Sequence, residues 1–310
     1  MKKIVFLDEY SIAGCDLSKI TSQGEYVAYE NTAKEQVVER LQGADIAITN
    51  KVLIDGEAMR QLPNLKLICV AATGMNNVDL NTAAELGIEV KNAVGYSTIS
   101  VAETTLASAL ALARNVVYFD EYFHDGRYAK ADRAFCYDRL TFQISGKRWG
   151  IIGLGNIGRE VARLASAFGC EVRYFSTSGA KREEAYPAME LNELLEWSDI
   201  VSVHSPLNDR TRGLVGREEL KRMKRSAMII NVARGGIIDE AALAEALNEG
   251  WIAAAALDVF SVEPLRESPL HDVKDRYRLL ASPHNAWSAV ESIDRLIDCV
   301  AENIRNFLAK

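Results

Sequence analysis

The sequence predicts an α/β protein made of two doubly wound parallel-sheet domains. Three observations carry that prediction. Apolar strands alternate with helical stretches twice along the chain, a glycine-rich turn opens the second series, and 310 residues suffice for about two domains. In the first series, short apolar runs at 3–7, 26–29, 46–49, 67–71 and 89–91 read as buried strands. Helix-like segments at 34–41 and 80–86 lie between them, the pattern of βαβ units with a parallel sheet. A long helix rich in Ala and Leu is expected at 100–114, after the turn-like Gly95-Tyr96-Ser97. The polar and aromatic stretch 122–137 that follows it reads as surface or an oligomer arm.

The alternation restarts at Trp149. Strands are expected at 151–152, 172–175, 200–204, 227–231, 253–258 and 279–281, about the number in a complete Rossmann domain. The first of these runs into Gly153-Leu154-Gly155-Asn156-Ile157-Gly158 and then an amphipathic helix at 159–165. A strand, a G-x-G-x-x-G turn and a helix form the unit that cradles a dinucleotide pyrophosphate. The first Gly makes the turn, the second lets backbone approach the phosphates, and the third lets helix and strand pack closely. The helix N-terminus aims free N–H groups at the anion. Because this loop is central, the chain before it must form another domain. The last segment, 289–308, places Ile293, Leu296, Ile297, Val300, Ile304, Phe307 and Leu308 at helical spacing. Such a terminal helix crosses back to the first domain and makes it discontinuous.

Composition narrows the function classes. A net charge of −7 argues against nucleic acid or an anionic membrane as the main partner. No apolar stretch is long enough to span a membrane. The five Cys are scattered, odd in number and without a C-x-x-C pair. That usage fits reduced thiols in a cytoplasmic protein, with no disulfide framework and no metal site. The start of the chain reads as a strand and not as a signal peptide, because Asp8 and Glu9 interrupt its apolar run.

Three segments of the second half carry polar residues just after expected strands, where open parallel sheets bind ligands. They are 229–236 with Arg234, 256–265 with Asp258 and Glu263, and 280–287 with His284. The chain has four His. His124 lies in the polar arm, His271 in a charged loop, and His204 ends a strand before Ser205-Pro206-Leu207. His284, between Pro283 and Asn285, has the best position for acid/base work, with Glu263 as partner carboxylate. A carboxylate on one imidazole nitrogen favours the protonated ring and fixes which nitrogen faces a substrate. Arg234 offers a fork of donors matched to a carboxylate.

Over nearly its whole length the chain resembles the D-isomer-specific 2-hydroxyacid dehydrogenase family. The matching segments are the glycine loop, His204-Ser205-Pro206-Leu207, Asn231-Val232-Ala233-Arg234-Gly235-Gly236, Leu257-Asp258-Val259-Phe260 with Glu263-Pro264-Leu265, and Ser282-Pro283-His284. Ser100-Val101-Ala102-Glu103 and Ala72-Thr73-Gly74-Met75-Asn76-Asn77-Val78-Asp79 also match. The resemblance implies a flavodoxin-like substrate domain, residues 1–98 plus 287–310, and a Rossmann dinucleotide-binding domain, 99–286. It implies His284 as general acid and base, Glu263 as the group that orients it and raises its pKa, and Arg234 as the oxo-acid ligand. Thr73, Gly74 and Met75 would hold the carboxylate, and Lys51 would face the same pocket. Gly153, Gly155, Asn156, Ile157, Gly158, Ser176, Thr177, His204 and Pro206 would hold the coenzyme, and Asp258 would meet its carboxamide. The expected reaction is reduction of a small 2-oxo acid, hydroxypyruvate or glyoxylate, to the D-2-hydroxy acid by a homodimer. Phosphoglycerate and other 2-hydroxyacid dehydrogenases, or a nucleotide-sensing corepressor on this fold, are the alternatives. Two positions depart from the family's pattern. Ser176 stands where NAD-preferring domains carry an acidic residue, with Lys181 and Arg182 soon after, so NADP(H) is favoured over NAD(H). Thr104 replaces the His that many relatives carry after Ala-Glu.

Overall fold

The computed structural model of the chain describes residues 1–12, 14–179 and 185–310. It divides into two compact units, Met1–Ser97 with Ser288–Lys310, and Thr98–Trp287.

In the first unit, β1 (Lys3–Phe6), β2 (Glu25–Ala28), β3 (Ile46–Thr49), β4 (Leu67–Val70) and β5 (Glu89–Asn92) form one parallel sheet. Its order, β2-β1-β3-β4-β5, is that of flavodoxin-like folds. Val5, Ala47, Ile68 and Val70 join a core with Val37, Ala58, Met59 and Ala83 from the helices Val37–Arg40, Gly56–Arg60 and Leu80–Glu85. The alternate residues Ile4, Phe6, Ile48 and Cys69 are buried as well. The closing helix Val290–Leu308 packs on β4 and β5, burying Leu296, Val300 and Ile304. Covering both faces is why these strands read as continuous apolar runs. The helix expected at 34–41 is instead a 3-10 turn, Lys34–Gln36, and a single helical turn, Val37–Arg40. Only Val37 and Leu41 of that segment are fully buried among the hydrophobics. So small an apolar face cannot sustain a longer helix.

Just past β1, Asp8 is fully buried. Its carboxylate accepts the backbone N–H groups of Asn50 (2.9 Å), Lys51 (2.6 Å) and Val52 (3.2 Å). Burial raises its pKa, and those three donors oppose the rise. From the loop after β4, Asn77 Nδ2 donates to the Val52 carbonyl at 3.1 Å. The loops after β1, β3 and β4 are thus hydrogen-bonded into one rim.

In the second unit, β6 (Arg148–Ile152), β7 (Glu171–Phe175), β8 (Ile200–Val203), β9 (Met228–Asn231), β10 (Ala254–Leu257) and β11 (Leu279–Ala281) are all parallel. Their order is β11-β10-β9-β8-β6-β7. Ala188 adds a parallel bridge to Tyr174 on the outer side of β7, with the Met189 N–H on the Tyr174 carbonyl at 2.8 Å. That single pair occupies the place of the third strand in the usual Rossmann order. It is too short to show as an apolar run in the sequence. The helices Thr98–Arg114 and Asn156–Ala167 cover one face through Val101, Ala109, Val161 and Ala165. Leu194, Leu220, Leu243 and Leu247, from three further helices, cover the other. Asn115, left-handed at φ 50°, ends the first helix and starts another, Val116–His124, which runs into the stretch 122–137 expected to be an aromatic surface arm. Asn tolerates that conformation better than most residues.

No helix among the described residues is long and apolar enough to cross a membrane. Replacing Asp8 with Ala leaves three backbone donors facing a void, and is expected to lower stability by about 3 kcal/mol. A loss of unfolding free energy in urea of less than about 1 kcal/mol would show that water satisfies those donors instead.

Candidate active site

Parallel pairing fixes where each strand of the second sheet ends. The register links Phe175 to Ile152, Ile152 to Val203, Val203 to Asn231, Asn231 to Leu257 and Leu257 to Ala281. One line therefore crosses the sheet, and the chain beyond it forms a single carboxyl edge. Every candidate residue of this unit lies past that line.

The glycine loop leaves β6, flanked by β7 and β8. Gly153 has φ 94°, and a side chain there would meet Ser205 backbone at 2.9 Å. A Cβ on Gly158 would lie 2.3 Å from the Gly153 carbonyl oxygen. At Gly155 a Cβ would meet nothing within 4 Å. Two glycines are thus demanded by protein packing and the third faces open space, the division of roles a pyrophosphate cradle requires. Gly155 precedes the helix Asn156–Ala167, whose first residues are Asn156 and Ile157. A cavity of about 180 Å³ lies here, lined by Gly153, Leu154, Gly155, Tyr174, Ser176, Thr177, Ser178, His204, Ser205 and Pro206. The structure thereby brings together the sequence candidates from β6, β7 and β8. Lys181 and Arg182 lie outside the described residues.

The donors of this cavity suit a polar ligand. His204 Nδ1 and Ser205 Oγ are buried without a hydrogen-bond partner among the described residues, an arrangement that costs free energy and is tolerated at functional sites. The other ring nitrogen, Nε2, is 2.9 Å from Ser202 Oγ, which accepts the indole N–H of the fully buried Trp149 at 2.8 Å. Burial pushes the His204 imidazole down to about 3, so the ring is neutral.

The neighbouring strands β9, β10 and β11 deliver the other candidates. At the end of β9, Asn231 ties the turn: its Oδ1 accepts the Ala233 N–H at 3.0 Å and its Nδ2 donates to the Arg234 carbonyl at 2.9 Å. A Cβ on Gly235 would lie 1.9 Å from the Phe260 backbone. Only glycine lets the Arg234 turn lie against the loop that follows β10.

Glu263, on that loop, accepts the Phe260 N–H through Oε1 at 3.0 Å and meets His284 Nδ1 through Oε2 at 2.6 Å. Both side chains are partly exposed, at 31% and 22%. His284 Nε2 is thereby the ring nitrogen that does not face Glu263. Arg234 is not joined to that pair; its Nη1 donates to the Ala233 carbonyl at 2.7 Å.

His284 sits at φ 53°, a strained region for a residue with a Cβ. Asp258 holds it there. The Asp258 carbonyl accepts the His284 N–H at 2.8 Å. Its carboxylate accepts Ser282 Oγ–H (2.6 Å) and the N–H groups of Asn285 (3.0 Å) and Ala286 (2.9 Å). The Ala286 carbonyl in turn accepts the hydroxyls of Ser100 at 2.6 Å and Thr104 at 3.4 Å. Thr104 is therefore a buttress of the loop that carries His284.

In the first unit, Lys51 follows β3 in the loop gripped by Asp8. Thr73, Gly74 and Met75 follow β4, where Thr73 Oγ1 donates to the Ala93 carbonyl at 3.1 Å and its own carbonyl accepts Asn92 Nδ2 at 2.7 Å. These residues lie on the same rim of the first sheet. Sequence reasoning met Asp8 only as a break in an apolar run and Gly235 only as part of a matching segment; the loop contacts that make them matter come from distant parts of the chain.

Residues 106–286 match the NAD binding domain of the D-isomer specific 2-hydroxyacid dehydrogenases. The chain belongs to that family. A glycerate dehydrogenase from Methylorubrum extorquens is 39% identical over 313 residues, covering 99% of this chain and 96% of the relative. A hydroxypyruvate reductase from Blautia hydrogenotrophica is 36% identical, covering 99% and 97%. An NADPH-dependent glyoxylate/hydroxypyruvate reductase from Sinorhizobium meliloti, solved with citrate, superposes with a TM-score of 0.87 at 26% identity, covering 100% of this chain and 96% of that one. This member of the family is thus an oxidoreductase with an NAD-binding domain.

The neutral His204, with its Nδ1 buried, gives a pH dependence of defined sign. The unfolded chain takes up its proton near 6.5 while the folded state resists until about 3. Stability is therefore complete above 6.5 and falls as the pH drops through that window, by up to about 1.4 kcal/mol per unit. Urea unfolding at pH 7 and pH 5 is expected to show a gap that shrinks by about 2 kcal/mol in His204→Gln. An unchanged gap would mean that the imidazole is solvated.

Proposed function

We propose that this chain reduces a small 2-oxo acid, hydroxypyruvate or glyoxylate, to the D-2-hydroxy acid, with NADP(H) preferred over NAD(H). The observation that carries the reading is the Glu263–His284 pair at 2.6 Å, on the same carboxyl edge as the cavity above Gly155. The relatives named glycerate dehydrogenase and hydroxypyruvate reductase, alike over 99% of the chain, support this substrate class.

The open space over Gly155 and the unpartnered His204 Nδ1 and Ser205 Oγ fit a dinucleotide. Gly153, Gly155, Gly158 and the N-terminal residues Asn156 and Ile157 would hold its pyrophosphate, and His204 and Pro206 would flank it. When bound, the nicotinamide supplies a hydride to the substrate carbonyl carbon. Asp258 has one acceptor position beyond the three bonds it makes, suited to a carboxamide N–H.

Arg234 binds the oxo acid through its guanidinium fork and polarises the carbonyl as negative charge builds on oxygen. His284 donates its Nε2 proton to that oxygen, giving the alcohol, and takes it back in the reverse direction. Glu263 keeps the ring oriented and balances the charge of the imidazolium form. Thr73, Gly74 and Met75, on the rim of the first sheet, would bind a substrate carboxylate, and Lys51, in the loop after β3 of that rim, a polar substituent. Ser176 and Thr177 follow β7 where a carboxylate would repel a 2′-phosphate, which supports NADP(H).

The working form is a homodimer built on the aromatic arm. Phe123, Phe135 and Tyr137 are 62%, 74% and 78% exposed around an apolar hollow, more than an isolated surface comfortably shows. Light scattering is expected to give twice the 34.2 kDa chain mass, and a monomer at micromolar concentration would reject the arm as an interface.

Hydroxypyruvate, glyoxylate, pyruvate and phosphohydroxypyruvate, each with NADPH and NADH, test the reaction directly. Oxidation of neither coenzyme by any of them would sink it. His284→Ala is expected to lose turnover about 1,000-fold while binding NADPH as before, and intact turnover would remove His284 from the chemistry.

A further inference from the structure

We propose that Arg210 is the cation that binds the 2′-phosphate of NADP(H), and that it sets the coenzyme preference. The inference rests on the dinucleotide reading of the cavity above Gly155. Ser176 and Ser178, beyond β7, and Pro206, beyond β8, line that cavity. Arg210 joins the two loops: its Nη1 donates to the Ser178 carbonyl at 3.3 Å.

The turn beneath Arg210 is prebuilt. Thr211, fully buried, donates its hydroxyl to the Pro206 carbonyl at 2.6 Å and accepts the Asn208 N–H at 2.8 Å. Asn208 Oδ1 accepts the Arg210 N–H at 2.9 Å. The backbone is fixed while the side chain reaches out over an exposed surface.

A guanidinium has five N–H donors, and Arg210 spends one on the Ser178 carbonyl. Among the described residues it forms no ion pair, whereas Arg217, Arg222 and Arg276 pair with Glu245, Glu196 and Glu121. A planar fork of donors is the best match to a phosphate dianion. The hydroxyl side chains of Ser176, Thr177 and Ser178 flank the same opening, in the place where an acidic residue would bond a ribose diol and repel the phosphate. Phosphate binding here needs no rearrangement of the two loops, only transfer of the fork from a carbonyl to a stronger acceptor.

The test titrates the full chain, without oxo acid, with NADPH, NADH, 2′,5′-ADP and 5′-AMP, followed by calorimetry or protein fluorescence. Arg210→Gln is expected to weaken NADPH and 2′,5′-ADP about 30-fold or more, the loss typical of a charged hydrogen-bond pair. NADH and 5′-AMP should change less than about threefold, because neither carries the phosphate that the guanidinium would bind. Their retained binding also reports a folded variant. Arg210→Lys should recover part of the NADPH loss, as a point charge without the fork. If the wild type prefers NADPH and Arg210→Gln leaves that preference unchanged, the role of Arg210 is overturned and the coenzyme reading stands. If the wild type binds NADH more tightly than NADPH, and 5′-AMP as tightly as 2′,5′-ADP, both fall.

Discussion

The register of the second sheet is the constraint on which the rest depends. Parallel pairing from Phe175 through Ile152, Val203, Asn231 and Leu257 to Ala281 ends six strands on one line. A slip of one residue in any strand would turn its apolar set from one buried face to the other. At β8 and β9, whose residues are buried on both faces, such a slip would misplace every packed side chain. Everything chemical in this unit hangs from that line, in loops whose starting points share one edge. The cavity and the Glu263–His284 pair are therefore consequences of packing in the sheet, which reaches the cavity itself through Tyr174 of β7.

Aligned strand ends do not by themselves orient side chains, and the loops solve that problem with backbone contacts. Gly235 permits the Arg234 turn to touch the Phe260 backbone, which ties the exits of β9 and β10 together. Asp258 then ties β10 to β11 through four hydrogen bonds, three from its carboxylate and one from its carbonyl. Those bonds hold His284 at a positive φ it would not adopt alone. The first unit uses the same device: one buried carboxylate, Asp8, gathers three consecutive N–H groups of the loop after β3. In both units a short acidic side chain orders a loop because its two oxygens accept several donors at once.

The two strand-end histidines differ in their partners. His204, partly buried, is linked through Ser202 to the indole of Trp149 and held neutral. His284 stays partly exposed and faces a carboxylate. A neutral ring can line a site for a phosphate-bearing ligand without changing charge near physiological pH. The same residue type is thus held neutral beside the cavity in one loop and set against a carboxylate in the other.

The strands were legible in the sequence because a strand buried on both faces must be a continuous apolar run, and the glycine loop because its spacing is dictated by a close turn. The fold class follows from those two facts, and the candidates Arg234, Glu263 and His284 were visible as polar residues just past strands. Other features had no local signature. The helix at 34–41 looked longer than it is because periodicity does not reveal how much of a face finds a partner. Arg210 and Ser178 are 32 positions apart, and Asp8 and Asn50 are 42 apart. What the sequence determined by itself was the alternation of strand and helix and the chemistry available at strand ends. Only the tertiary structure decided which of those ends meet, because hydrogen bonds between distant loops depend on sheet order and register, which no local pattern encodes.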